Sequence, residues 1–255
     1  MSQHALMMQR IVRLWLPLAA ALLGIAWFSQ WRYDPNKEAK AGLERLNRWR
    51  TQAGVQELRP SPALARAAQN HAAYLGKDAH GHSENNRRNP HYTGADPQAR
   101  ATAAGYPAPV VENLTAGNFA RSGIRSTDGL MTALYHRLTL LNPDHDEAGA
   151  AWVRGRHAAF VIVQGSRRER ELCAQAGNQA SKRYVLTMEC NGQTVKIPLD
   201  AAPRRYTGAV KYPAGGNIEP AYNGKEIPNP IPGKKAVGNP VSIAFYGTTA
   251  PVEMR

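Results

Sequence analysis

His71-Ala-Ala-Tyr74, His80-Gly-His82-Ser83, Thr93-Gly94-Ala95-Asp96-Pro97, Arg100-Ala-Thr-Ala-Ala-Gly105-Tyr106, Glu112-Asn113-Leu114 and Tyr135-His136-Arg137 follow one another through the middle of the chain. Histidines and a glutamate so widely spread form a site only if the fold brings them together. The periodicity on either side shows what kind of fold that is.

Asp34-Pro35 is a helix start, because Asp accepts from first-turn N–H groups and Pro needs no donor there. Ala39, Leu43, Leu46 and Trp49 then recur at helical spacing, and Gly54 closes the helix. Ser61-Pro62 repeats the signal ahead of Leu64, Ala68, His71 and Leu75. His71 therefore lies on an apolar stripe and is expected to be a core histidine bonded to a backbone carbonyl. Between Asp78 and Gln98 periodicity gives way to His, Asn, Arg, Gly and Pro, the composition of an extended loop. His80-Gly-His82 lies in this loop, where such a pair alone is a weak metal signal. A short helix from Pro97 to Ala104 ends at Gly105.

Ser126-Thr127-Asp128 reads as the cap of a further helix with Leu130, Ala133, Leu134, Leu138 and Leu141 on one side. His136 then falls about 120° from the centre of that stripe, at the border of the buried face. Ala150–Val153 and Ala158–Gln164, either side of Arg154-Gly155-Arg156, predict a buried hairpin. Helices laid over a small sheet make an α/β sandwich.

The ordered set Leu46-Asn47-x-x-Arg50, Gly54, Leu58, Leu64, Ala67-Ala68-Gln69, His71, His82-Ser83, Arg100-x-x-x-x-Gly105-Tyr106, Glu112-Asn113-Leu114, His136-Arg137 and Glu147-Ala-Gly149 resembles the bacterial branch of the CAP superfamily, also called the SCP domain. The resemblance covers residues 38 to 166. It implies an α-β-α sandwich with a cleft lined by two His and two Glu. Matched residue by residue, His82, Glu112 and His136 are the expected cleft residues, with His82 and His136 as ligands if a divalent metal such as zinc binds. The second family Glu would fall near Ala133, and this sequence has none there. Glu112 and His136 also suit a purely structural role, Glu112 holding the loop after Gly105 and His136 bonding to it.

Leu14 to Phe28 form an uncharged apolar run behind Arg10 and Arg13, the pattern of an export signal. No small-x-small cleavage site follows, and Trp27, Trp31 and Tyr33 resemble an interfacial aromatic anchor. An uncleaved signal anchor over 1–33 is the expectation, with a cleaved peptide as the alternative. Residues 34–166 then form the first domain, facing the periplasm or the cell exterior, and 167–255 a second. The net charge of +13 suits anionic lipid or wall polymer as a partner. No basic helix interleaved with aromatics and no zinc-finger spacing points to nucleic acid.

Arg167 to Glu171 reads as a charged linker. Beyond it, Tyr184–Cys190 and Gln193–Leu199 flank Asn191-Gly192, a strong hairpin signal, and Val241–Tyr246 is a further strand, so the C-terminal part is a small β-rich module. Cys173 and Cys190 are the two cysteines. An oxidising compartment favours one disulfide, and two free buried thiols are the alternative. No Gly-x-Ser-x-Gly or His-Glu-x-x-His occurs, and no catalytic residue is singled out. The function readings carried forward are ligand binding in the cleft (lipid, glycan or metal), metal-dependent hydrolysis of a protease type, and a structural envelope role. The sequence does not set the oligomeric state.

Overall fold

Both Pro-led helices form where their caps predict. The computed structural model describes residues 15, 33–78, 81–175, 185–198, 206–215, 226, 229–230, 232–233 and 238–247. In it, α1 spans Pro35–Gln52 and α2 spans Pro62–Leu75. The Asp34 carboxylate accepts from Asn36 and Lys37 N–H, and the Ser61 hydroxyl from Leu64 N–H, which satisfies first-turn donors that lack an intrahelical partner. Past α1 the chain turns at Gly54, φ 72°. After α3 (Pro97–Ala103) it turns at Gly105, φ 84°.

The sheet holds β1 (Arg59–Pro60), β2 (Val110–Ala116), β3 (Glu147–Arg154) and β4 (Ala158–Gly165) in the order β1-β3-β4-β2. β3 and β4 are the expected hairpin, and β2 pairs antiparallel with the other edge of β4. Alternation along the strands sends Ala151, Ala159, Val161 and Val163 into one core with α2 and α3, and Ala148, Trp152, Phe160 and Ile162 into a second. Leu46 and Trp49 of α1 share that second core with Leu130, Met131 and Leu140. Helices thus cover both faces, and the architecture is the α-β-α sandwich.

Gly149 marks how closely α2 rides on β3. A Cβ there would fall on the backbone of Leu64 and Ala65, which a rotamer change does not relieve. Gly149→Ala is expected to lower unfolding free energy by about 2–3 kcal/mol, read by urea denaturation, and an unchanged midpoint would contradict that packing.

One sequence expectation is corrected between residues 122 and 141. The cap is Ser122, whose hydroxyl accepts from Arg125 N–H, and α4 spans Gly123–Thr132. Ser126 and Thr127 are buried inside the helix. Asp128 accepts from Arg45 Nε at 2.6 Å and Trp49 Nε1 at 2.8 Å, so its carboxylate ties α4 to α1 instead of capping. The helix then breaks at Ala133, whose backbone is extended, and restarts as α5 (Leu134–Leu140). A single wheel through 126–141 therefore does not describe this region.

The expected linker after residue 166 is also a helix, α6 (Arg167–Gln175). Its Arg170 donates to both oxygens of Glu147 at 3.0 and 2.8 Å. β5 (Val185–Cys190) and β6 (Gln193–Pro198) form the expected hairpin, with Asn191 and Gly192 both at positive φ, 53° and 73°. β8 (Ser242–Tyr246) pairs with β7 (Gly208–Tyr212), a strand the sequence reading passed over.

Cys173 on α6 is bonded to Cys190 at the end of β5, and both are buried in the α2–α3 core. Replacing both by Ser is expected to lower stability by about 3 kcal/mol, the loop-closure value for a ring of this size. Guanidinium denaturation of the oxidised parent and the double variant tests this, and a gap below 1 kcal/mol would contradict it. The expected membrane anchor lies outside the described residues except Trp15, and among the described residues no helix is long and apolar enough to cross a membrane.

Candidate functional site

A buried charge cluster lies where α2, α3 and β2 meet. His71, on the inner face of α2, is fully buried. Its Nε2 lies 3.0 Å from the Gly81 carbonyl and its Nδ1 2.9 Å from Glu84 Oε1. A carbonyl oxygen only accepts, so Nε2 carries a proton. The expected carbonyl partner is present, and a carboxylate faces the other nitrogen. Glu84 Oε2 in turn accepts from Thr93 N–H at 2.9 Å.

Arg100, on α3, is the second buried cation. Its Nη2 donates to the His82 carbonyl at 2.9 Å and reaches both Glu112 oxygens, at 2.9 and 3.0 Å. Its Nη1 donates to the Gly94 carbonyl at 3.3 Å, and its Nε lies 3.7 Å from Glu84 Oε1. Glu112 Oε1 also lies 3.0 Å from His82 Nδ1 and 3.6 Å from His71 Nε2. Burial pushes the Glu112 carboxyl up, but the His82 hydrogen bond and the charges of His71 and Arg100 outweigh it and hold the group below its ordinary range. Glu112 is therefore ionised at neutral pH, with donors on both oxygens. The His82 side chain, 47% exposed against 2% for Glu112, is the member of the cluster that meets solvent.

His136 keeps different company. Its Nδ1 lies 3.1 Å from Glu226 Oε1. The same carboxylate accepts from Leu134 N–H at 2.7 Å, Tyr135 N–H at 2.5 Å and His136 N–H at 3.2 Å. It thus satisfies the donors that the break at Ala133 leaves open. Glu226→Ala is expected to cost about 1–2 kcal/mol, the loss of one helix cap, and hydrogen exchange should quicken at Leu134 and Tyr135 ahead of the rest of α5. Uniform exchange across α5 would contradict this.

Beside this pair a groove of about 640 Å³ opens between β2, α4 and the turn at Gly117–Phe119. Leu114, Ala116, Phe119, Leu130 and Ala133 give it apolar walls, Arg121 and Arg125 also line it, and His136 and Glu226 form its polar end.

By hydrogen bonding the expected residues fall into two pairs, His82 with Glu112 and His136 with Glu226. Among the described residues no three His, Cys, Asp or Glu side chains are grouped to hold a metal ion. The contacts give the reason: both oxygens of Glu112 are taken by Arg100, and His136 Nδ1 turns to Glu226. Two carboxylates went unnoticed in the sequence. Glu84 sits two residues past His82, a spacing with no periodicity to mark it. Glu226 lies in a Pro- and Gly-rich tail 90 positions from His136.

A three-layer sandwich whose edge strand delivers a glutamate to a buried His-Arg cluster defines the class. Residues 43–165, just under half of the chain, match the family model described as CAP, the cysteine-rich secretory protein family. Over this region the chain is similar to the CAP superfamily. No curated protein sequence matches the chain. Among solved structures it is similar to an outer surface protein of Borrelia burgdorferi, at 19% identity over 53% of this chain and 96% of that one, TM-score 0.45. It is similar also to an extracellular SCP-domain protein of Bacillus anthracis, at 16% identity over 52% and 41%, TM-score 0.44. A cysteine-rich secretory protein of Staphylococcus aureus stands at 16% identity over 52% and 40%, TM-score 0.38. The chain spans about two fifths of the length of the last two.

Proposed function

We propose that this protein is exported, stays tethered to a membrane by its N-terminal apolar run, and binds an amphiphile with an acidic head without transforming it. The groove beside His136 carries the reading: its walls are apolar and it holds two arginines, which suits an acyl chain with an anionic head better than a glycan or a metal. Export is supported by the Cys173–Cys190 bond, a linkage that persists in oxidising compartments. The buried cluster supports the sandwich.

The test uses the full chain in detergent and a palmitic acid bearing a diazirine. Crosslinks are expected at residues 114–136, to fall when Arg121 and Arg125 are replaced by Glu, and to weaken with the methyl ester of the probe. Crosslinks spread evenly over the surface, or equal for acid and ester, would overturn the reading.

A further inference from the structure

Phe119 and Ile124 are large apolar side chains left 47% and 41% exposed. They alternate with Arg121 and Arg125, both exposed, along the seven residues Phe119-Ala-Arg-Ser-Gly-Ile-Arg125. Glu38, an acid that touches this segment, is engaged by Gly123 N–H at 2.8 Å, and Glu226, which lines the groove beside it, is engaged by the N–H groups that open α5. Apolar side chains set between cations are what an anionic bilayer surface takes up: the rings enter the headgroup boundary and the guanidinium groups meet phosphate.

The entry of the chain lies on the same side. Tyr33 stacks on Trp152 at 5.9 Å and carries the Arg154 guanidinium 5.0 Å over its ring. It lines a small cleft with Gly117, Asn118 and Arg121, and the latter two also line the larger groove. The apolar run Leu14–Phe28 ends a few residues before Tyr33. A domain suspended from that run turns the 117–125 segment toward the membrane, while α1, 18 residues long, carries its far end about 27 Å away along its axis.

We infer that residues 117–125 form a docking surface for an anionic lipid bilayer, placing the mouth of the groove against the membrane. The orientation rests on the proposed tether. The apolar and charge complementarity stands apart from it.

The cysteines of this chain are bonded to each other, so Asn118→Cys supplies one reactive thiol for an environment-sensitive NBD label. The labelled full chain is incorporated into phosphatidylcholine vesicles with and without phosphatidylglycerol. A blue-shifted, brighter emission is expected with phosphatidylglycerol, with no change for the same label at Thr51→Cys on the far end of α1. Replacing Arg121 and Arg125 by Gln should weaken docking about thirtyfold, from two surface charges. Vesicle-bound chain whose emission at 118 ignores phosphatidylglycerol overturns the docking surface and leaves the tether standing. Chain absent from both vesicle fractions overturns tether and docking together. The fatty-acid crosslink reads the groove independently of either.

Discussion

Arg100→Met is expected to lower unfolding free energy at pH 7 by about 4 kcal/mol, the cost of removing one partner from a buried ion pair. Arg100 is 1% exposed, and its guanidinium contacts Glu112 and lies 3.7 Å from Glu84. Methionine fills the volume but leaves two carboxylates facing His71 and one another's field in a dry site. The loss has a defined pH dependence. Because Glu112 is held below its ordinary value of 4.5 in the folded chain, its contribution is fully present above that value and is lost as pH falls through the folded one. Without Arg100 part of that lowering goes, so the variant begins to lose stability at a higher pH than the parent. Below the folded value both forms hold a neutral carboxyl and the gap between them narrows. Urea denaturation at pH 7 and pH 3 measures both effects, and a gap that is small at pH 7 or wider at pH 3 would contradict the cluster as described.

Arg50 presents the other large case, and among the described residues it has no carboxylate within hydrogen-bonding distance. Its Nε donates to the Gln56 carbonyl at 2.8 Å, Nη1 to Leu140 at 2.7 Å and Asn142 at 3.1 Å, and Nη2 to His145 at 2.8 Å. Burial pulls this guanidinium down to about 10 from 12.5, partly countered by Tyr246 and Asp146. One side chain therefore holds the end of α1, the end of α5 and the approach to β3 in register. Arg50→Met takes the guanidinium away from four carbonyls, of which Leu140 keeps Gln164 Nε2 and Asn142 keeps the His145 N–H, and is expected to cost about 4 kcal/mol. Arg50→Lys is expected to recover little of it, since a compact ammonium does not span the planar fork. Recovery of most of the loss by Lys would show that charge, and not the fork, is what the site requires.

Local signals were read well where one residue carries them. Asp34-Pro35, Ser61-Pro62 and Asn191-Gly192 each act on the backbone within a few residues of themselves, and each element forms in place. His71 was legible because helical spacing puts it on an apolar stripe. What escaped depends on partners distant in sequence. Ser126-Thr127-Asp128 has the composition of a cap, yet Arg45 and Trp49, some 80 positions earlier, engage Asp128. The break at Ala133 has no Pro or Gly to announce it, and Glu226 supplies its N–H groups with an acceptor from the far end of the chain. The resemblance grouped His82, Glu112 and His136 because relatives place such residues in one cleft. In this chain the tail brings a second carboxylate to His136.

The tail also determines when folding can finish. Val210 and Tyr212 are buried in the same core as Trp49 and Trp152. Fully buried Arg137 donates to Ser242 Oγ and the Pro240 carbonyl, and lies 4.1 Å from the Tyr212 ring. A ribosome delivers residues 43–165 first and these partners last. Until the final strands emerge, Arg137 has no settled environment and α5 no cap. The second core and the cap of α5 therefore close only once the strands of the tail have been made.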